Sequence, residues 1–300
     1  MKIQIFQDII DVIRGKKEIK IVKKKVAKKK ILSKFLVFWI GTKCTLKCRL
    51  CCNLIPYSKQ ISYNADEILK DLQFLLKNHE IEYLQIQGGE PFTHPDIIKI
   101  IDFVSKTNIK NIDIATNATV ALKQDVLNTL KRNPNVKIRI SNYECTKVAR
   151  EKFCKVLDNN NIPYRFYDFK FNNKLWFSTG GINEKKANDI EVQEIFNKCK
   201  NKGCRTLADG ILTFCGKATT IKEIYNDYNA KKCDEVNIRK IRKSFNPLKN
   251  KVLKKALILF FENKNTYKEQ CRYCNISPDL FPAAEQLSSE EIKNLRRNEV

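Results

Sequence analysis

GTKCTLKCRLCCNL, residues 41–54, places four cysteines in nine positions: Cys44, Cys48, Cys51 and Cys52, at offsets of four, three and one. A disulfide framework, a zinc knuckle or an iron–sulfur cluster could each use thiols at this density. The stretch directly follows FLVFWIG (35–41), an apolar run that reads as a buried strand. The thiols therefore stand on the loop leaving a strand's C-terminal end, and the rest of the chain has to decide between the three chemistries.

Working outward, apolar runs alternate with amphipathic stretches. ADEILKDLQFLLKN sets Ile68, Leu72, Phe74 and Leu75 on one helical side, YLQIQG reads as a second strand and HPDIIKIIDFVSK as a second helix. NIDIAT with VLNTLKRN and VKIRIS with AREKFCKVLDNN repeat the pair, PYRFYDF supplies a fifth strand, and KLWFSTGG is a candidate sixth. Strand–helix alternation at this spacing predicts an α/β fold, a parallel sheet with right-handed crossovers, open or closed into a barrel. Active residues then gather at the strands' C-terminal ends.

The whole chain bounds the answer. Three hundred residues suit one large α/β domain with a small appendage, and 43% hydrophobic residues support a packed core. Residues 1–34 stand apart: Phe6, Ile9, Ile10 and Ile13 at helical offsets precede nine lysines between Lys16 and Lys30. This basic extension reads as a helix packed on the main domain, with contact to a membrane surface or an acidic partner as the alternative. No run is long enough to cross a bilayer and no signal peptide is visible, which predicts a cytoplasmic protein whose twelve cysteines serve metal or catalysis. The formal charge of +24 is mostly lysine spread along the chain, so a solvated basic surface is preferred to a nucleic-acid site.

Three thiolates on one loop can hold three irons of a cubane and leave the fourth without a protein ligand. Cys52, pressed against Cys51, reads as a bystander. The spacing C-x3-C-x2-C after a first strand, with Gly88-Gly89-Glu90-Pro91 after the second, resembles the signature of radical S-adenosylmethionine (SAM) enzymes. That resemblance implies a partial (βα)6 TIM-like barrel over 35–185 and a 4Fe–4S cluster on Cys44, Cys48 and Cys51. The cofactor would chelate the open iron and be cleaved to a 5′-deoxyadenosyl radical. Gly88, Gly89, Glu90 and Pro91 would meet the methionine amino group, a contact that glycines and a carboxylate suit physically. Read as a plain turn, the same residues place Pro95 first in a helix with Thr93 or His94 capping. Thr116, Asn117, Ser141, Asn142 and Arg165 are further strand-end residues; Asn117 and Ser141 are carried into the expected SAM site. Leu50 stands where the family usually has an aromatic residue, so it would offer the adenine apolar contact without stacking.

Past residue 185 the alternation fades and six cysteines remain: Cys199, Cys204, Cys215, Cys233, Cys271 and Cys274. Cys199-x10-Gly210-x4-Cys215 with Cys271-x2-Cys274 resembles the SPASM/Twitch extension of the same superfamily. It implies one auxiliary 4Fe–4S cluster within a cysteine-rich unit at 186–286, with Cys199 and Cys204 as alternatives for one ligand. A zinc site on Cys199, Cys204, Cys271 and Cys274 is the competing reading. Cys145, Cys204 and Cys233 are spare thiols able to donate a hydrogen atom, whereas Cys154 reads as an inert core thiol. His79 reads as a helix-end residue and His94 as a capping-turn residue. Residues 287–300 predict a polar helix capped by Ser288 or Ser289.

The resemblance implies an oxidoreductase or epimerase acting on a small polar substrate (a sugar, nucleotide sugar or aminocyclitol), with a flavodoxin or ferredoxin type electron donor. Maturation of a ribosomally made peptide, an iron–sulfur nucleic-acid protein and a zinc-binding scaffold are the alternatives.

Overall fold

A computed structural model describes residues 31–167, 175–182, 185–231, 233–277 and 279–297. The chain divides at Ile31/Leu32 into two units, of which the second, Leu32–Val300, is described here. The amphipathic and lysine-rich segment expected at 1–30 lies outside the described residues.

Twelve strands are described: β1 (Ile31–Ser33), β2 (Leu36–Trp39), β3 (His79–Ile81), β4 (Tyr83–Gln87), β5 (Asn111–Thr116), β6 (Val136–Ser141), β7 (Tyr164–Tyr167), β8 (Leu175–Phe177), β9 (Thr206–Ala208), β10 (Ile211–Thr213), β11 (Glu235–Asn237) and β12 (Leu280–Pro282). The helices are α1 (Ala65–Leu76), α2 (Ile97–Val104), α3 (Gln124–Arg132), α4 (Lys147–Asn159), α5 (Asp189–Lys198), α6 (Lys217–Ile224), α7 (Ile238–Lys243), α8 (Lys249–Glu262) and α9 (Ser289–Arg297). One eight-stranded sheet runs in the order β11-β10-β9-β2-β4-β5-β6-β7. The central run from β9 to β7 is parallel, and the β9–β10–β11 meander is antiparallel. Each of the first four βα crossovers falls where the alternation predicts.

The register fixes two unlike faces. Leu36, Leu84, Ile112 and Val136 form one row and Phe38, Ile86, Ile114 and Ile138 the next, all buried. Crossover helices supply matching apolar stripes, such as Ile68, Leu72 and Leu75 on α1 and Ile97, Ile100, Ile101 and Val104 on α2. The opposite face carries Gln85, Gln87, Asp113, Arg139 and Arg165. A parallel sheet is ordinarily apolar on both faces, so this polar face departs from what stability alone asks for.

Two features differ from the sequence reading. The stretch KLWFSTGG does form a strand, β8, but it pairs antiparallel with β12 and stays outside the parallel array. The sixth parallel place is taken by β9, on the far side of β2. The cysteine-rich region thus extends the main sheet through β9–β11. Helix α9 begins as expected: Ser288 Oγ accepts from Glu291 N–H at 3.1 Å and Glu291 Oε2 accepts from Ser288 N–H at 2.7 Å, a reciprocal capping box.

Helix α1 is tied to α7 by charge. Asp71, fully buried, accepts from Arg239 Nε at 2.9 Å and from Arg242 Nε at 2.7 Å. Removing the buried carboxylate breaks both of these bonds, although Arg239 keeps Asp209 at 2.6 Å and Arg242 keeps Glu67 at 2.7 Å, so Asp71→Ala is expected to destabilise the chain by about 2 kcal/mol, read from denaturant midpoints.

Candidate functional site

The cysteine loop leaves β2 and is shaped by short local bonds: Cys51 N–H donates to the Cys48 carbonyl (3.2 Å) and Leu54 N–H to the Cys51 carbonyl (2.9 Å). Sulfur acceptors are satisfied from outside as well. Leu46 N–H reaches Cys44 Sγ at 3.5 Å, Gln286 Nε2 reaches Cys48 Sγ at 3.5 Å, and Asn117 Nδ2 lies 3.9 Å from Cys44 Sγ. Burial, together with the charges of Cys51 and Glu90, pushes the Cys44 thiol up to about 12. Cys48 is raised by burial, then by Cys51, Cys44 and Cys145, and Cys51 is raised by burial. Cys51 raises both Cys44 and Cys48, so ionising the three thiols together is unfavourable unless a cation offsets their charge. That donor set fits a cubane, in which each thiolate meets its own iron. Among the described residues, no three or more His, Cys, Asp or Glu are gathered around a place for a single metal ion.

Pro91 opens a short 3-10 turn after the two glycines, and the glycines meet the cysteine loop itself. Gly89 N–H donates to the Gly41 carbonyl (3.1 Å) and Glu90 N–H to the Lys43 carbonyl (2.8 Å). A Cβ on Gly88, whose φ is +152°, would stand 2.0 Å from Gly41 O, and one on Gly89 2.1 Å from Lys43 O. Glycine is required here because two backbones touch, a reason additional to any ligand.

Glu90, 2% exposed, accepts from Phe92 N–H (3.2 Å), Thr116 Oγ1 (2.9 Å) and Asn117 N–H (2.7 Å). Its carboxylate thus ties the end of β4 to the end of β5. Asn117 continues the chain of contacts through its Nδ2, which donates to Thr45 Oγ1 at 3.0 Å. Burial outweighs the three donors and pushes Glu90 up to about 7 from 4.5. The unfolded chain releases this proton near the lower value and the folded chain near the higher one. Stability should therefore fall as pH rises between them. Denaturant midpoints of the iron-free chain at pH 5 and pH 8 should show wild type losing about 2 kcal/mol relative to Glu90→Gln.

Other expected residues are placed as follows. Leu50 is half-buried between Cys48 and Cys51. Ser141, at the end of β6, hydrogen-bonds Tyr143, whose phenol is raised by burial and then by Cys48, Cys52 and Cys51. Tyr143 also meets Trp176 edge-on at 5.2 Å. Tyr143, two residues past the end of VKIRIS, is an aromatic within electrostatic reach of these thiols that the sequence reading did not single out. Arg165 meets a carboxylate of the chain's own, Asp113, and donates to Tyr83 Oη at 2.7 Å. Cys145 donates to the Ala284 carbonyl at 3.4 Å and is felt electrostatically by Cys48, which puts it beside the first cysteine set. Cys204 neighbours Cys199, Cys233 lies against Asp234, and Cys154 is half-buried near Tyr164. His94 accepts from Asp96 N–H on Nδ1 and so donates from Nε2 to the Tyr63 carbonyl at 2.9 Å. His79 is not at a helix end: it lies in β3, stacked on Phe261 at 5.2 Å, and burial lowers it to about 4.

The second cysteine set converges too. Burial, then Cys274 and Cys199, pushes Cys215 up to about 12, and Cys271 is raised by burial and by Cys274, Cys215 and Cys199. Cys204 is raised by burial and by Cys199 alone among the cysteines. Gln270 Nε2 points at Cys215 Sγ from 3.8 Å.

A C-terminal strap covers the first loop, which no local pattern announces. Arg49 N–H donates to the Glu285 carbonyl, Leu287 N–H to the Lys47 carbonyl and Lys47 N–H to Gln286 Oε1, each at 2.8 Å. Arg49 also pairs with Glu285 and Glu291.

Comparison with known proteins shows that residues 40–142 match the Radical SAM superfamily model. Molybdenum cofactor biosynthesis protein moc-5 of Caenorhabditis elegans is 33% identical over 128 residues, 41% of this chain; the chain spans 20% of that protein's length. Among solved structures, BtrN in complex with AdoMet and 2-DOIA matches with a TM-score of 0.42 at 13% identity, over 86% of this chain and 98% of that one. Streptococcus suis SuiB bound to precursor peptide SuiA matches with a TM-score of 0.39 at 17% identity, over 69% of this chain and 45% of that one. Among the described residues, no helix is long and apolar enough to cross a membrane.

Proposed function

We propose that this chain is a radical SAM enzyme acting on a small polar substrate such as a sugar, nucleotide sugar or aminocyclitol, by dehydrogenation or epimerisation. The observation that carries the reading is the pinning of the Gly88–Pro91 turn onto the start of the cysteine loop by the Gly89 and Glu90 backbone bonds. Two segments whose bonded residues are 47 and 48 positions apart (90 − 43 and 89 − 41) are thereby held together within the matched stretch, which supports one shared site. Cys44, Cys48 and Cys51 would hold a 4Fe–4S cluster, and Gly88, Gly89, Glu90, Pro91, Asn117, Ser141 and Leu50 would line the SAM site. A cluster held by Cys44, Cys48 and Cys51 would supply one-electron reduction to a cofactor bound beside it. Glu90 has room for one further hydrogen bond after its three internal donors, and an ammonium beside it would hold it ionised.

Cys199, Cys215, Cys271 and Cys274 would hold an auxiliary 4Fe–4S cluster, with Cys204 standing aside. The polar sheet face, with Gln85, Gln87, Asp113 and Arg139, supports a polar substrate. Cys145, beside Cys48, is the spare thiol best placed to return a hydrogen atom in an epimerisation. Turnover of sugar and aminocyclitol substrates in heavy water tests the reading. Solvent deuterium in product, lost in Cys145→Ala, identifies epimerisation; an oxidised product without deuterium identifies dehydrogenation; no turnover of any such substrate contradicts the substrate class.

A further inference from the structure

Between the two cysteine sets sits a lysine that the sequence gives no reason to notice. Lys217, the first residue of α6, is 3% exposed. Its ammonium donates to the Thr179 carbonyl at 2.9 Å and the Tyr273 carbonyl at 3.2 Å, with Gly180 O at 3.5 Å and Cys274 Sγ at 3.6 Å. No ion pair with a carboxylate involves it among the described residues. Seventeen ion pairs are described, and they include the deeply buried Asp71, so counter-ions are supplied elsewhere in this fold as needed. An ammonium taken out of water without an anion costs several kcal/mol. Carbonyl dipoles offset part of that cost, and the remaining nearby acceptor is a thiol.

The surroundings show that the position is built. Gly216 precedes it because a Cβ there would strike Trp39 Cζ2 at 2.5 Å and Asn53 Oδ1 at 2.9 Å. Thr220, one turn on, donates to the Asn53 carbonyl at 2.7 Å. The start of α6 is therefore clamped to the first cysteine loop through Asn53 and Trp39, while Cys215 and Cys274 flank it from the second set. The Lys217 charge also reaches Cys51 and Cys52.

We propose that Lys217 is a positioning residue whose ammonium, 3.6 Å from Cys274 Sγ, supplies counter-charge at that thiolate and raises the reduction potential of the centre the second cysteine set holds. The proposal rests on the reading above that the second cysteine set holds a 4Fe–4S cluster. Four thiolates around a cubane leave a net negative charge, which grows by one on reduction. A hydrogen bond to a ligating sulfur and a buried cation both favour the more negative, reduced state. A raised potential suits a centre that takes up an electron, the demand of dehydrogenation, over one that gives an electron up.

The test uses the full chain with Cys44, Cys48 and Cys51 all changed to alanine, so that one cluster remains after anaerobic reconstitution. About four irons in this background support the auxiliary cluster, and none would remove that reading independently of Lys217. Within it, Lys217→Gln keeps donors for the carbonyls and removes the charge, and Lys217→Met removes both. With iron retained, the Lys217→Gln midpoint, followed by electron paramagnetic resonance, is expected to fall by at least a tenfold change in the reduction equilibrium, about 59 mV for one electron. An unchanged midpoint at full iron content overturns the proposal. Loss of iron from both variants would assign Lys217 to building the site alone and would also overturn it.

Discussion

Changing any one of Cys44, Cys48 or Cys51 to alanine is expected to abolish 5′-deoxyadenosine formation, by more than about 10³-fold. Iron should fall from about eight per chain to about four. The reason lies in the loop. Its three thiols are buried or half-buried, and Cys51 raises both Cys44 and Cys48, so the three stand close together and none is a spare that could replace a neighbour. Loss of one leaves two mutually repelling thiolates and an iron without a ligand. Cys52→Ala is the control: that side chain is exposed, and its change should leave iron at about eight. Iron analysis and chromatography of the nucleoside read both quantities on one preparation.

A change that touches no ligand should do nearly as much damage. In Gly89→Ala the new Cβ meets Lys43 O at 2.1 Å, Lys43 C at 2.4 Å and Thr42 O at 2.7 Å. All three are backbone atoms, so no rotamer change relieves the contact. The Glu90 N–H to Lys43 carbonyl bond must break, and with it the register between the cysteine loop and the turn. The expected outcome is a loss of about 4 kcal/mol in stability and at least about 10²-fold in 5′-deoxyadenosine formation. Gly203→Ala, at a position where a Cβ meets nothing within 4 Å, should stay within about 0.5 kcal/mol of wild type. Equal effects at the two positions would show that the contact between turn and loop carries no weight.

The contrast between those glycines shows what could be read from the sequence. Strands β5 and β6 coincide with NIDIAT and VKIRIS because a buried parallel strand writes itself as a short apolar run. Helices α1 to α4 follow from their apolar stripes. The order of the cysteine loop and the Gly-Gly-Glu-Pro turn was legible for the same reason: each ends a strand. What was not legible depends on contacts far apart in the chain. Strand β9 has three residues, too few for a period, and its place beside β2 is a tertiary fact. Strand β3, equally short, hid His79 inside a core where a helix end was expected. The strap at 284–291 reaches the cysteine loop across some 240 residues. Lys217 reads as one lysine among many, and only its burial sets it apart.

Apolar surface also remains on α8 and on the segment that joins it to α7. Phe245 is fully exposed and Leu248, Val252 and Leu259 are largely so, beside Lys249, Lys251, Lys254 and Lys255. These residues take no part in the chemistry argued above.

The central claim is that residues 41–54 and 88–91 together make a radical-generating SAM site. Its most direct test is to reconstitute the full chain anaerobically with iron and sulfide, reduce it, add SAM, and measure 5′-deoxyadenosine. The account predicts that the nucleoside forms, and that its formation disappears in Cys44→Ala. A reconstituted chain that carries zinc instead of iron, or holds its clusters yet leaves SAM intact under reduction, would contradict it.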